Sequence, residues 1–529
     1  MKRHIVYFLV GILCMGLLGS LYAQDYTEDE LIYRSCPSKL SLILEYTNQA
    51  VEKLACVQTT QITTPTTITN PGYYCLNNDI VGTITINSDR VILDLNGFEI
   101  SGTTDHVIVV EHTDIVIKNG IIRGTTTGSS GISVTDGINI TIENINFTDN
   151  YNGILLTTVS CIAIEQCMFT EHTKDGSCIN ATGLYGAHFS DIVCKNNTSN
   201  QDIALINLLN ADTVSLERIT LNNNVLQNNS FNIGSFGGGL TLISSSNLFL
   251  NAIAIDENFG PSSGFGIICI GLALAGVHNV YCQDCTVNNN VSDVLFIGVL
   301  TAPLALQGNS NLTFKNCYAN NNSSNSNAVE GFEINRCTHL TMLDCQANNN
   351  SGSTSTGFTY GFALYGGPGS DILYKGCSAS GNSGRTVGGF TFSFAADNFK
   401  GIFQECIAND NTAVLTAYGF EFQQSSTSCV VNCIAKRNSG GTAGYGIYLN
   451  STASFEVDSN LVVGNSTTGI ENVSGVANVF FSNKAQENGT LGANNYSGVP
   501  TTQIITYDIG LADFTTTNTR PFINLAIQP

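Results

Sequence analysis

The sequence predicts an all-β solenoid, a parallel β-helix, and three observations carry that prediction. The first is a Cys column: Cys285, Cys317, Cys345, Cys377, Cys406 and Cys433 recur every 27 to 32 residues. The second is an Asn column at a fixed offset. Asn290, Asn322, Asn350, Asn382, Asn411 and Asn438 each fall five residues after such a Cys. The third is a period of two inside short apolar runs such as Val91/Leu93/Leu95, the mark of a strand with one buried face. Strand periodicity inside a repeat of about 22–34 residues fits β coils and excludes leucine-rich and helical-pair repeats. A chain of 529 residues is too long for one compact core, but a solenoid escapes that limit because each coil needs only its neighbours. Only 12% of the residues are charged and 52 are Gly, which suits short strands joined by tight turns.

In chain order, residues 1–23 read as a secretory signal: Lys2 and Arg3 precede an apolar run from Ile5 to Leu18, and Ala23 is the cleavage position. Leu21 is larger than such a site prefers, and Cys14 follows Leu13, which argues against lipidation. No later run is long enough to cross a bilayer as a helix, so an exported chain without a transmembrane helix is expected. Residues 24–70 form an N-terminal segment in which Leu40, Ile43, Leu44, Val51 and Leu54 have helical spacing. A short helix over Ser38–Cys56 is expected to cap the open end of the solenoid, with a local disulfide between Cys36 and Cys56.

The coils are expected over residues 71–490, roughly 13–14 of them at the usual strand spacing. Gly331-Phe332-Glu333-Ile334 and its counterparts at Gly361, Gly389, Gly419 and Gly446 form a further column. Alternation turns Phe332, Ile334, Cys345 and Ala347 inward and leaves Glu333 and Glu421 outside. Cys167 and Cys194 are placed with the other column Cys, as a buried thiol stack rather than a chain of bridges. The Asn amides are expected to bond from coil to coil as an asparagine ladder. The pattern loosens at Asp202–Gly238 and Ser292–Ala305, where loops or irregular coils are expected. Residues 491–529 read as an irregular C-terminal cap, centred on Thr502–Pro529.

The stretch PGYYCLNNDI…VILDLNGFEISG…IVIKNGIIRG, followed by repeats of the form NLTFKNCYANNN, resembles right-handed parallel β-helix proteins of the pectin-lyase-like superfold. The resemblance implies right-handed coils along nearly the whole exported chain. Functionally it implies a range: polysaccharide lyases, hydrolases, epimerases, tailspikes and adhesins. The hydrolases carry Asn-Thr-Asp, Asp-Asp, His-Gly and Arg-x-Lys segments. None occurs here, and His112-Thr113-Asp114 and Lys118-Asn119-Gly120 are partial.

Lyase chemistry would need Ca²⁺ on several carboxylates and a Lys or Arg base. The weak candidates are Asp344, Lys375 and Glu405, in a patch with Asp284 and Lys315 just before the column Cys. A solvated salt-bridge ladder is the simpler reading of that patch, and of Glu330, Glu333 and Arg336. Cys282-x-x-Cys285 lacks a second half for a metal site. Cys161, Cys167, His172 and Cys178 read as core thiols beside an exposed His. Tyr360, Tyr418 and Tyr445, interrupted by Gly388, read as aromatics packed on one another, with a sugar platform as the alternative. No cofactor is evident. A net charge of −21 excludes nucleic acid as a partner and disfavours polyanions. The expectation is an exported structural or binding rod, adhesin-like, contacting polysaccharide or an envelope or host surface. The alternative is a polysaccharide-active enzyme: lyase or epimerase before hydrolase.

Overall fold

The computed structural model describes residues 59–499, apart from 103–104, 125–127, 173–175, 200–203, 227–237, 261–267, 294, 303–307, 366–370, 394–399, 424–427, 451–454, 474–477 and 490–494. The chain divides into a unit Met1–Thr59 and a unit Thr60–Pro529. The signal segment, the capping helix, the Cys36–Cys56 pair and the Thr502–Pro529 cap all lie outside the described residues.

The described residues from Thr60 to Val499 are built from stacked coils, and every recorded strand pairing is parallel. One ladder begins at Thr60–Ile62 and Gly72–Leu76 and passes through seventeen strands to Val479–Phe481. The stack therefore starts before Pro71 and holds more coils than the sequence spacing suggests. Two reasons account for this. The early coils are short, and the segments expected to be irregular hold their places in register. Ile206–Leu209 pairs with Gly238–Ile243, and Leu295–Ala302 pairs with Val329–Asn335. At the far end Ile470 still pairs with Tyr496.

Left-handed backbone at the corners explains much of the composition. The residue before each column Cys (Asp284, Asn316, Asp344, Gly376, Glu405, Asn432) has φ between 51° and 66°. So does the residue four after it: Asn289, Asn321, Asn349, Gly381, Asp410 and Arg437 have φ between 52° and 68°. Asn, Asp and Gly tolerate this region best, which is why they recur there.

The interior is columnar. Phe332, Phe362, Phe390 and Phe420 stack at centroid distances of 5.0, 4.8 and 4.8 Å, each fully buried. Burying such a ring stabilises by about 1.5–3 kcal/mol. The Gly column beside them is steric in origin. A Cβ on Gly389 would sit 2.7 Å from the Gly419 carbonyl oxygen and 3.0 Å from the Ala408 Cβ. Coils stack this closely only because that side chain is absent.

The Asn ladder is present and longer than the Cys column. Asn290, Asn322, Asn350, Asn382, Asn411 and Asn438 are fully buried. Typically the backbone N–H and the Nδ2 of one Asn both donate to the Oδ1 of the next, as in Asn411 to Asn438 at 3.3 and 2.8 Å. The ladder extends back through Asn258, Asn224 and Asn197 and forward to Asn465, Asn488 and Asn495. In the earlier coils Ile192, Ile219 and Ile253 stand where the Cys would be. Cys194 is not in the Cys column: it registers with Phe169 and Leu221, two positions further along. His172 is buried, not exposed. It takes an Asn place in the ladder, donating its backbone N–H to Asn197 Oδ1 at 3.0 Å, with its ring Nε2 3.4 Å from Phe147 O.

The fourteen cysteines whose side chains are described are free thiols. Those of the column are buried, and they point at carbonyls two residues back, as Cys345 Sγ does to Leu343 O at 3.4 Å. The in-register parallel geometry keeps them stacked without bridging them.

Candidate functional site

Asp344, Lys375 and Glu405 are exposed and do not converge. Asp344 and Glu405 occupy the left-handed corner column, two coils apart, with Gly376 between them. Lys375 belongs to a different column, in register with Leu343 and Gln404. Glu405 receives Gln404 Nε2 at 2.9 Å. Their recurrence reflects the φ requirement of the corner. Among the described residues no three His, Cys, Asp or Glu side chains come together as a metal site.

The chemistry gathers instead on the outward side of the sheet that contains the Gly column. Its strands are Val329–Asn335, Phe358–Tyr365, Thr386–Ser393, Thr416–Gln423, Ala443–Asn450 and Thr468–Asn472. Gly331 and Phe332 both turn inward, so the outward positions of each strand are three residues apart and then two. Parallel register stacks them into three columns. The first is Glu330, Tyr360, Gly388, Tyr418, Tyr445 and Thr468. The second is Glu333, Ala363, Thr391, Glu421, Tyr448 and Glu471. The third is Asn335, Tyr365, Ser393, Gln423 and Asn450.

The sequence places Glu333 and Glu421 on the outer surface, in solvent. They are on the outer face, but Glu421 and Glu330 are each only 3% exposed. Burial pushes the Glu330 carboxyl well above the usual range, the nearby Glu333 charge adds to this, and the Tyr365 hydroxyl opposes it. Tyr365 donates to Glu330 Oε1 at 3.1 Å, and Glu330 Oε2 is buried without a partner. Burial raises the neighbouring Glu333 carboxyl as well, opposed by the Asn335 amide that donates to its Oε1 at 2.6 Å. Arg336, expected beside them, sits at an exposed corner with φ 46° and makes no recorded ion pair with either. Burial also raises Glu421, which accepts Gln423 Nε2 at 2.6 Å and the Thr391 hydroxyl at 3.4 Å. Glu471 is raised for the same reason.

The tyrosines pack on one another and keep part of each ring open. Tyr418 stacks on Tyr445 at 5.4 Å, and Tyr448 leans against them at 5.2 and 4.9 Å. Tyr360 stacks on Phe358 at 4.9 Å. A Cβ at Gly388 would meet Thr391 Oγ1 at 2.0 Å and the Tyr360 ring at 3.0 Å, so the interruption of the Tyr column makes room for Tyr360. Burial raises Tyr360, Tyr365 and Tyr418, which stay protonated donors.

Sequence reasoning missed this face as a unit. Tyr360, Tyr418 and Tyr445 were visible, but Tyr365, Tyr448, Glu421 and Glu471 join them only through register. The outward side changes character along the stack: in earlier coils it carries a buried apolar cluster of Ile243, Ala273, Ala275, Ile297 and Leu300.

A second polar cluster lies near the start of the stack. Tyr73 donates to Asp94 Oδ2 at 2.5 Å, and Asp94 Oδ1 takes the Asn96 N–H and Asn119 Nδ2 at 2.8 and 3.2 Å. The buried Lys118 amine lies 5.9 Å from the Tyr73 ring centroid. Every Asp94 oxygen is occupied, so this network closes on itself, whereas the Glu330 face keeps an open acceptor.

Residues 353–485 match the family model described as a right handed beta helix region. No curated protein matches the chain. Among solved structures, the A-module of mannuronan C-5 epimerase AlgE6 from Azotobacter vinelandii is similar at 12% identity. That match covers 64% of this chain and 90% of that one with a TM-score of 0.34. The AlgE4 A-module of the same organism is similar at 10% identity, over 81% and 91% of the two chains, with a TM-score of 0.29. The tailspike of E. coli bacteriophage HK620, in complex with a pentasaccharide, is similar at 10% identity, over 83% and 74%, with a TM-score of 0.24. At these identities and scores, nothing about ligand or activity passes from them to this chain.

Proposed function

We propose that this right-handed parallel β-helix of the pectin-lyase-like fold is an exported binding protein that holds an extended saccharide on the outer face running from Val329–Asn335 to Thr468–Asn472. One observation carries the reading: parallel register gathers tyrosine rings with carboxyl and amide groups on a single face of six successive coils, of which only Thr386–Ser393 supplies neither. Sugar rings lay their C–H faces on aromatic rings, and their hydroxyls pair with fixed polar groups. Tyr418, Tyr445 and Tyr448 supply the rings. Asn335, Glu421, Gln423 and Asn450 supply the polar partners. An extended ligand along the stacking axis meets rings and polar groups on successive coils.

Titration calorimetry of the full chain with a panel of neutral polysaccharides tests this. Saturable binding is expected, weakened about 2- to 10-fold by Tyr418→Ala or Tyr448→Ala, the effect of losing one aromatic contact. No binding across the panel sinks the reading.

The Glu330–Glu333 pair favours a second reading, a polysaccharide-active enzyme. A carboxyl kept protonated by burial is the chemistry of a general acid. Incubation with the same panel, with and without Ca²⁺, followed by chain length, separates the two. Depolymerisation that Glu330→Gln abolishes while binding persists would replace the binding protein with an enzyme.

A further inference from the structure

We infer that the saccharide preferred by this face is cationic, an amine-bearing chain whose ammonium groups seat among Glu330, Glu333, Glu421 and Glu471. This rests on the saccharide-binding reading above and names the ligand class for the same site.

The first observation is a mismatch of charge. Some acids of the chain hold an arginine, as Asp191 holds Arg218 at 2.7 Å and Asp410 holds Arg437 at 2.6 Å. The four glutamates of this face have no recorded ion pair with Lys, Arg or His among the described residues. Arg336 follows the first of these strands but stands at an exposed corner, with no recorded ion pair to Glu330 or Glu333. The second is the vacant acceptor. Glu330 Oε2 is buried and unpartnered, on a side chain only 3% exposed. A native buried carboxyl oxygen without a partner is uncommon, and a ligand donor is one thing that completes it. The third is the ring arrangement. Tyr418 and Tyr445 are parallel at 15°, and Tyr448 crosses them at 55° and 45°. Tyrosine faces attract cations, and rings set at an angle beside carboxylates form a receptor for an ammonium group.

The pieces act in one direction. Without a cation the buried acids are driven towards the neutral form. An ammonium ligand restores the balance, so the acids ionise as it binds and protons leave. Neutral sugars gain the stacking but not this term. Polyanions are repelled.

The test is calorimetry of the full chain with two oligosaccharides of equal length, one of glucosamine and one of N-acetylglucosamine, in mildly acidic buffers of differing ionisation heat. The glucosamine chain is expected to bind at least about tenfold more tightly, with a buffer-dependent heat that reports proton release. Glu471→Gln, at a half-buried position, and Glu421→Gln are each expected to reduce that preference. Asp371→Asn and Glu456→Gln, exposed acids on another side of the coil, are expected to leave it unchanged. Equal affinity for the two chains, or a preference for the acetylated one, overturns the inference and leaves saccharide binding standing. A loss from the Asp371 and Glu456 variants as large as from Glu421 and Glu471 also overturns it, because bulk charge would then be the cause. Absence of binding here and on the neutral panel removes both readings.

Discussion

Asn350 makes three bonds, two of them through a side-chain amide that no apolar residue replaces. Its N–H reaches Asn382 Oδ1 at 2.9 Å, its Nδ2 reaches Ala319 O at 2.8 Å, and its Oδ1 takes the Asn322 N–H at 3.0 Å. Asn350→Ala strands the last two partners in the interior, at about 1–3 kcal/mol for each orphan. A clear fall in melting temperature is expected, and an unchanged melt would remove the ladder as a source of stability. Asn320 looks like a silent control in the sequence, two positions before the ladder, but it is not silent. It belongs to an outer, half-buried ladder: its N–H reaches Asn288 Oδ1 at 2.8 Å, and its Oδ1 takes the Asn348 N–H at 2.7 Å. Asn320→Ala is expected to lower the melt too, by less, since water can take over its partners. Tyr374 is the opposite case. It is fully buried among Phe390, Phe392 and Phe403, and its hydroxyl has no partner. Tyr374→Phe removes an unpaid desolvation and is expected to stabilise by about 1 kcal/mol. A lower melting temperature for Tyr374→Phe would contradict this.

The strand Val329–Asn335 binds protons as part of its packing. Glu330 faces Glu333 on its own strand and Tyr360 and Tyr365 on the next, and Glu421 stands further along the face. The strand on the other side, Leu295–Ala302, offers Ile297 at that register and no titratable group. The folded Glu330 carboxyl lies well above its ordinary value of 4.5, so between those two values the folded chain holds a proton that the unfolded chain has released. Stability is then full below about 4.5 and declines as pH rises through that window. Glu333 and Glu421, also raised, add to the same slope. Thermal melts of the unliganded protein are expected to fall with rising pH from mildly acidic values, and Glu330→Gln is expected to flatten the fall. A parallel pH profile for Glu330→Gln would exclude Glu330 as its source. The elements themselves were largely legible in the sequence, because interior columns repeat the same residues at the same offset. Gly331, Gly361, Gly389, Gly419 and Gly446 could be aligned by eye. The face opposite them could not. Its columns mix Glu, Tyr, Gly, Thr and Ala, and an outward position is free to change from coil to coil. Only the register of Glu421 with Tyr448 and Glu471 joins them.

At the scale of the whole stack, the sequence underestimates regularity. Asp202–Gly238 lacks the Cys signature, yet Ile219 and Asn224 hold the same two places five residues apart that Cys345 and Asn350 hold later. A thiol and a branched alkyl group fill the same interior site, so the visible letter changes while the spacing persists. Charge misled in the reverse sense. Asp284, Asp344 and Glu405, weak lyase candidates read more simply as a solvated ladder, recur because corners demand a residue tolerant of left-handed backbone, and in this chain several of those are acidic. The fixed interval between Cys and Asn also constrains how such a gene can change in length. Duplication of one full coil, cut at any point in its circuit, returns both columns to their places and adds one more pair of rings or acids to the outer face. Loss or gain of a single codon between Cys345 and Asn350 breaks both ladders at once. The molecule is therefore adjustable in reach by whole copies and intolerant of small slips between the columns, and its number of coils is a quantity on which selection for a longer or shorter ligand can act directly.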